Sequence, residues 1–155
     1  MNNLFDLNGK VVVMTGACGV LGSTIVKYFG AQGCRVVLLS REHSREKGER
    51  MVADIKAAGG EAMFLATEVL DEEVLRGNLR DVLDAYGTVD ILLNGAGGNM
   101  GPANVQPHQS IEDLDVEAMR KVCDLNIFGT VLPTKIFLRP MIQKRKGVII
   151  NFCSM

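Results

Sequence analysis

The sequence predicts an α/β fold of the doubly wound kind, a parallel sheet covered by helices on both faces. Three observations carry that expectation. Short runs of β-branched and other apolar residues alternate with longer amphipathic stretches, and those runs are apolar on both faces. Glycine punctuates the joins, at 17 residues against 4 prolines. Strands apolar on both sides belong to a parallel sheet buried between helical layers. Right-handed crossovers then leave a ligand crevice at the carboxyl ends of the strands. A length of 155 residues is that of one domain with a real core.

Each element follows in order. Residues 10–15 (KVVVMT) form the first expected strand, and glycines follow at once. Leu21, Ile25, Val26 and Phe29 then recur at helical spacing as far as Gly33, a helix stop. Residues 35–40 (RVVLLS) give the second strand. Residues 44–58 form a charged surface helix with Met51, Val52 and Ile55 inward, ending at Gly59 and Gly60. Residues 61–67 (EAMFLAT) are the third strand. Asp71 caps the next helix, whose Leu75, Leu79, Leu83 and Tyr86 make one apolar stripe up to Gly87. Residues 89–94 (VDILLN) are the fourth strand, and a polar loop runs from 95 to about 115. Residues 116–143 have helical periodicity, with Pro133 expected to kink the helix and Pro140 to end it or open its last turn. Residues 147–152 (GVIINF) form the fifth strand.

Composition narrows the function classes. A net charge of −1 argues against a nucleic-acid binder, which needs a basic excess or stripe. Without Trp, and with aromatics at 5%, stacking platforms for bases or sugars are disfavoured. The N-terminus has no apolar signal core and no run is long enough to span a bilayer, so a soluble, cytoplasmic protein is expected. The four cysteines form no CxxC pair and His43 and His108 are scattered, so no metal site is expected and the thiols are read as free and buried or half-buried. Glu112, Asp113, Asp115 and Glu117 precede a helix, where carboxylates favour the dipole. His108 reads as a solvated loop residue.

The chemistry-bearing segment is Thr15-Gly16-Ala17-Cys18-Gly19-Val20-Leu21-Gly22, with glycines three apart across a strand-to-helix turn. Without a Cβ the chain turns tightly and a pyrophosphate can reach the backbone amides. The helix that follows adds free N–H groups and a positive dipole end. For a glycine triplet alone, a tight turn with no ligand is the plain alternative.

Two further segments stand at the right strand ends in the right order, Asn94-Gly95-Ala96-Gly97 and Asn126-Ile127-Phe128-Gly129. With the glycine turn they resemble the short-chain dehydrogenase/reductase family across essentially the whole chain, which implies a Rossmann-like three-layer fold. Residues 15–22 resemble the family's T-G-x-x-x-G-x-G turn, with Val20 at the usual middle glycine and Gly19 one place earlier. Residues 94–97 resemble its N-N-A-G motif, with Gly95 for the second Asn. Asn126 falls at the family's catalytic asparagine. Asn151-Phe152-Cys153-Ser154 resembles N-x-S-S, which gives Ser154 the place of the catalytic serine and leaves Cys153 without expected chemistry. The stretches TGACGVLG, NGAGGN and DLNIFGTVLPT look most like the mannonate/fructuronate-type sugar-acid oxidoreductases. That branch also carries a long loop before the asparagine helix, here residues 98–115.

The resemblance implies hydride transfer between a nicotinamide and a carbinol or carbonyl carbon of a small molecule such as a sugar acid. Ser154 would hold the reacting oxygen, and Asn126 would order the helix backbone and a water relay. The cofactor would be bound by Thr15, Gly16, Gly19, Val20, Leu21, Gly22, Ser40, Arg41, Glu68, Val69, Asn94, Gly95, Ala96 and Gly97. The family's proton-transferring tyrosine, with a lysine four residues on, has no counterpart. The two tyrosines, Tyr28 and Tyr86, are expected on apolar helix stripes, and Gln32 and Asp90 stand four residues after them.

Cofactor choice turns on the end of the second strand, where a carboxylate would bind both ribose hydroxyls of NAD. Ser40 and Arg41 stand there instead, a hydroxyl and a guanidinium that suit the 2′-phosphate of NADP, with Arg45 and Lys47 adding positive potential. NADP is therefore preferred over NAD. Glu68-Val69 sits where the family often has Asp-Val against adenine.

Residues 1–155 are expected to form one dinucleotide-binding domain that lacks its C-terminal catalytic segment. That segment would bear Tyr-x-x-x-Lys and at least one more strand beside the fifth, and the complete protein would be a homo-oligomer. The alternatives are a non-catalytic dinucleotide-binding module or inactive truncated fragment, and a plain α/β interaction domain.

Overall fold

A computed structural model describes residues 6–153. The order is β1 (Val11–Thr15), α1 (Val20–Ala31), β2 (Arg35–Ser40), α2 (Arg45–Ala57), β3 (Glu61–Ala66), α3 (Glu72–Tyr86), β4 (Ile91–Asn94), α4 (Val116–Cys123), α5 (Gly129–Gln143) and β5 (Val148–Asn151). All strand pairs are parallel and the sheet order is β3-β2-β1-β4-β5. The chain winds outward from β1 to β3, then crosses back to place β4 on the other side of β1. The switch point between β1 and β4 is where a doubly wound sheet opens its crevice.

Side-chain alternation splits the core into two layers. Val12, Met14, Val36 and Leu38 pack with Val26 of α1 and Met51 and Ile55 of α2. Val11, Val13, Val37 and Leu39 point the other way, onto Leu75, Leu79 and Val82 of α3 and Ile136, Phe137 and Met141 of α5. Strands apolar on both faces thus have a helical layer for each, as the sequence pattern requires.

Helix ends follow local chemistry. Asp71 accepts the N–H groups of Glu73 and Val74 at the start of α3. Gly87 closes α3 with φ 74°, and Gly33, past α1, has φ 77°. Asp90 joins three elements: one carboxylate oxygen accepts the Val11 N–H at 2.9 Å and the other accepts from the Lys144 ammonium. Burial alone would raise the pKa of that carboxyl, but the bonds from Lys144 and Val11 hold it below its ordinary value.

Three expectations need correction. The stretch 116–143 is not one continuous α-helix. A π-helical turn over Asp124–Phe128 interrupts it, Pro133 lies inside α5, and Pro140 stands in the last turn of α5 as expected. Pro133 sits in the second turn after that break, close to where a helix needs few N–H donors, and the Pro140 carbonyl accepts the Lys144 N–H. Leu21 and Tyr28 are 69% and 60% exposed, so the buried stripe of α1 runs through Val26 and not through them. Cys18 and Cys34 are buried, whereas Cys123 and Cys153 are exposed. Burial, and secondarily the Asp90 charge, pushes the Cys34 thiol up to about 11. At the sheet's edge, as expected for the fifth strand, β5 pairs only with β4 among the described residues, and its Val148 and Ile150 are exposed.

Candidate functional site

At the carboxyl ends of the strands lies a cleft of about 380 Å³. Residues from each turn that leaves the sheet line it. They are Gly16, Cys18 and Gly19 after β1; Leu39, Ser40, Arg41 and Ser44 around the end of β2; Thr67, Glu68, Val69 and Leu70 after β3; and Gly95, Ala96 and Gly97 after β4. Leu125, in the π-helical turn, closes one side.

Two glycines are forced by close approach. Gly16 has φ 67°, and a Cβ there would come within 2.5 Å of the Gly95 carbonyl oxygen. A Cβ on Gly22 would collide with the carbonyl oxygens of Gly16 and Ala17, so Gly22 lets α1 begin directly under the turn. Gly19 precedes α1 without any side-chain cap, and it lines the cleft, so the first N–H groups of the helix are presented there. Val20 is 88% exposed, so a side chain at the family's middle glycine position meets no obstruction.

The turn is tied to both neighbouring strands. Thr15 Oγ1 accepts the N–H groups of Gly95 and Ala96, each at 3.1 Å. The Ser40 Oγ accepts the Cys18 N–H at 3.0 Å, and the Leu39 carbonyl accepts the Ala17 N–H at 3.3 Å. The Thr67 N–H is donated to the Ser40 carbonyl at 2.9 Å, while Asn78 Nδ2 donates to Thr67 Oγ1 at 2.6 Å. Both hydroxyls that the sequence assigned to ligand contact therefore brace backbone. Thr15 is wholly buried and does not line the cleft; Ser40 lines it with its oxygen already accepting one bond.

The asparagines divide likewise. Asn94 is buried, and its Nδ2 donates to Thr134 Oγ1 and to Asn151 Oδ1, each at 2.8 Å. Its own Oδ1 is buried with no hydrogen-bond partner among the described residues. Asn126 sits in the π-helical turn and clamps the loop after β4. Its Oδ1 accepts the Gly98 N–H at 3.2 Å, and its Nδ2 donates to the Gly98 carbonyl and to the Val122 carbonyl at 2.7 Å.

Of the residues named from sequence, Gly16, Gly19, Ser40, Arg41, Glu68, Val69, Gly95, Ala96 and Gly97 line the cleft. Thr15, Gly22 and Asn94 support it from below. Val20 and Leu21 point to solvent at the start of α1. Ser154 lies outside the described residues. Sequence reading missed Cys18, Leu39, Ser44, Thr67, Leu70 and Leu125 as lining; Cys18 in the glycine turn and Leu39 and Thr67 at the ends of β2 and β3 carried a signal by their place. Arg45 is not free positive potential, since Glu42 and Glu49 hold it at 2.6 and 3.3 Å. His108 and the acidic stretch 112–117 take no part: Asp113 and Asp115 cap helical turns, and no metal-holding cluster occurs among the described residues. Among the same residues no helix is long and apolar enough to cross a membrane.

Comparison with known proteins agrees with this geometry. The family model for short chain dehydrogenase matches residues 10–155. The chain belongs to the short-chain dehydrogenase family. An uncharacterized oxidoreductase of Bacillus subtilis, UxuB, is 36% identical over 158 residues, covering 97% of this chain and 56% of the relative. A Haemophilus influenzae protein provisionally assigned as a D-mannonate oxidoreductase, crystallised with NAD, superposes with a TM-score of 0.85 at 31% identity. That match covers 94% of this chain and 55% of the neighbour. NAD+-bound xylitol dehydrogenase gives a TM-score of 0.85 at 30% identity, over 96% and 54% of the two chains. This short-chain dehydrogenase thus spans about half the length of the relatives it matches.

Proposed function

We propose that this chain supplies the dinucleotide half of an NAD(P)-dependent oxidoreductase acting on a sugar acid or a related alcohol or carbonyl compound. The observation that carries the reading is the cleft itself. Four strand-end turns converge on one crevice at the switch point, at the uncapped start of α1, with glycine where a Cβ would fill it. A pyrophosphate fits that cradle by its charge and by the close backbone. The NAD-bound relatives support a nicotinamide cofactor. When bound, that cofactor would accept or deliver the hydride.

The chain's own residues would bind and position. The backbone of residues 16–19 faces the phosphates, Arg41 serves the adenosine ribose, and Glu68 and Val69 flank the adenine. Gly95, Ala96 and Gly97 would line the nicotinamide side, held by Thr15 at Gly95 and Ala96 and by Asn126 at the adjoining Gly98, and Ser154 would hold the substrate oxygen. NADP is favoured over NAD because Arg41, at the end of β2, carries no carboxylate partner among the described residues. The sugar-acid class rests on the provisional mannonate assignment of one neighbour.

A second reading, a dinucleotide-binding module without turnover, is favoured by one observation. The chain contains no Tyr-x-x-x-Lys, and neither Tyr28 nor Tyr86 lines the cleft. Titration with NAD and NADP tests the site that both readings share, and turnover of mannonate or fructuronate by the natural protein separates the two. Binding with no turnover by the 155-residue chain is expected. No binding of either dinucleotide overturns both readings.

A further inference from the structure

The cations around the end of β2 are not equivalent. Arg45 is neutralised by Glu42 and Glu49 and lies over the Phe64 ring, 5.3 Å from its centroid. Arg50 lies 3.5 Å from Glu46. Arg41 and Lys47 form no ion pair among the described residues. Lys47, in the first turn of α2, reaches across to the glycine turn and donates to the Cys18 carbonyl at 2.7 Å. The N–H of the same Cys18 is donated to Ser40 at 3.0 Å. Cys18, Ser40, Arg41 and Ser44 all line the cleft.

We propose that Lys47 is a specificity-determining residue of this cleft, favouring a dinucleotide with a phosphate on its adenosine ribose over one with bare hydroxyls. The proposal rests on the reading of the cleft as a dinucleotide site. A carbonyl anchor holds an ammonium in place without cancelling its charge, which a carboxylate anchor would do. The flexible lysine stem is thereby ordered before any ligand arrives, so less freedom is lost on binding. A phosphate beside Ser40 and Ser44 then meets Arg41 on the cleft wall and feels the uncancelled charge of Lys47, which is not itself a lining residue but stands on the carbonyl of Cys18, which is. Neutral ribose hydroxyls gain little from either. The effect is electrostatic across a partly solvated cleft, so it weakens with salt.

The test separates charge from the hydrogen bond to Cys18. Lys47→Gln removes the charge but keeps a donor; Lys47→Met removes both; Lys47→Arg keeps the charge. Each is titrated with NADP, NAD and adenosine 2′,5′-bisphosphate, at low and at high salt. The expected result is a loss of about tenfold for NADP and the bisphosphate in Lys47→Gln, under about twofold for NAD, with recovery in Lys47→Arg. Equal losses for NADP and NAD overturn the proposal, because Lys47 would then only hold the turn. Unchanged NADP binding in Lys47→Gln overturns it as well. A native chain that binds NAD but not NADP sinks the proposal and leaves the dinucleotide site standing; one that binds neither sinks both.

Discussion

The β1–β2 pair and the β4–β5 pair of the sheet differ in how completely they are buried. On the β1–β2 side every strand residue except Arg35 is buried, and the hydroxyls of Thr15, Ser40 and Thr67 are all engaged with backbone. On the β4–β5 side, Val148 and Ile150 are exposed, β5 pairs only with β4 as β3 at the opposite edge pairs only with β2, and the Asn94 Oδ1 is buried without a partner among the described residues. Residues buried on both sides leave little freedom, so the glycine turn is held rigid before a ligand binds. An open edge with free N–H and C=O groups is a template for further pairing. The difference teaches that the glycine turn is braced by both neighbouring strands, whereas Val148 and Ile150 of β5 stand open to solvent.

The contrast can be broken or sharpened by substitution, and the largest effect is expected at the cradle. Gly22→Asp places a Cβ against the Gly16 and Ala17 carbonyls and a carboxylate at the helix start. Dinucleotide affinity should fall at least about a hundredfold by titration, with folding checked by circular dichroism. Thr15→Val keeps the shape but leaves the Gly95 and Ala96 N–H groups without their shared acceptor, and should cost about 2 kcal/mol in denaturant unfolding. If that variant is as stable as the native chain, the cradle is not held by this bond. Arg41→Asp should weaken NADP about tenfold relative to NAD, the scale of one charge-assisted bond.

A smaller effect is expected at Asp90, which links β1, β4 and the end of α5. Its pKa is lowered on folding, so it adds stability above its unfolded value near 4, and that increment is lost as pH falls through the folded value. Asp90→Asn should flatten the loss of stability between neutral and acid pH; an unchanged slope assigns the acid sensitivity elsewhere. The thiols give the mildest readout. Cys123 and Cys153 should react with an alkylating agent in the folded chain, whereas Cys34, with its thiol pushed up to about 11, should react only on unfolding.

Much of this was legible in the residues. Short runs apolar on both faces marked β1 to β5, and Asp71, Gly33 and Gly87 marked helix ends by local chemistry. The cleft glycines were legible because a positive φ or a close backbone approach admits no Cβ. What escaped depends on tertiary distance. No spacing rule shows that Arg45 meets Glu42 and Glu49 while Lys47 reaches Cys18, since both are cations on one helix. The π-helical turn at Asp124–Phe128 also escaped, because Pro133 offered a stronger local signal for a break than Asn126 did. Thr15 and Ser40 were read as ligand contacts since a hydroxyl's partner is invisible until its neighbours are placed.

The central claim is that a dinucleotide occupies the cleft at the β1–β4 switch point. Amide hydrogen exchange of the chain with and without saturating NADP tests it most directly. Protection should rise at residues 16–19, 39–44, 67–70 and 95–97, and stay unchanged along the groove between α3 and α5 that Arg76, Arg80, Lys135 and Arg139 line. Protection confined to that groove, or none at all, would contradict it.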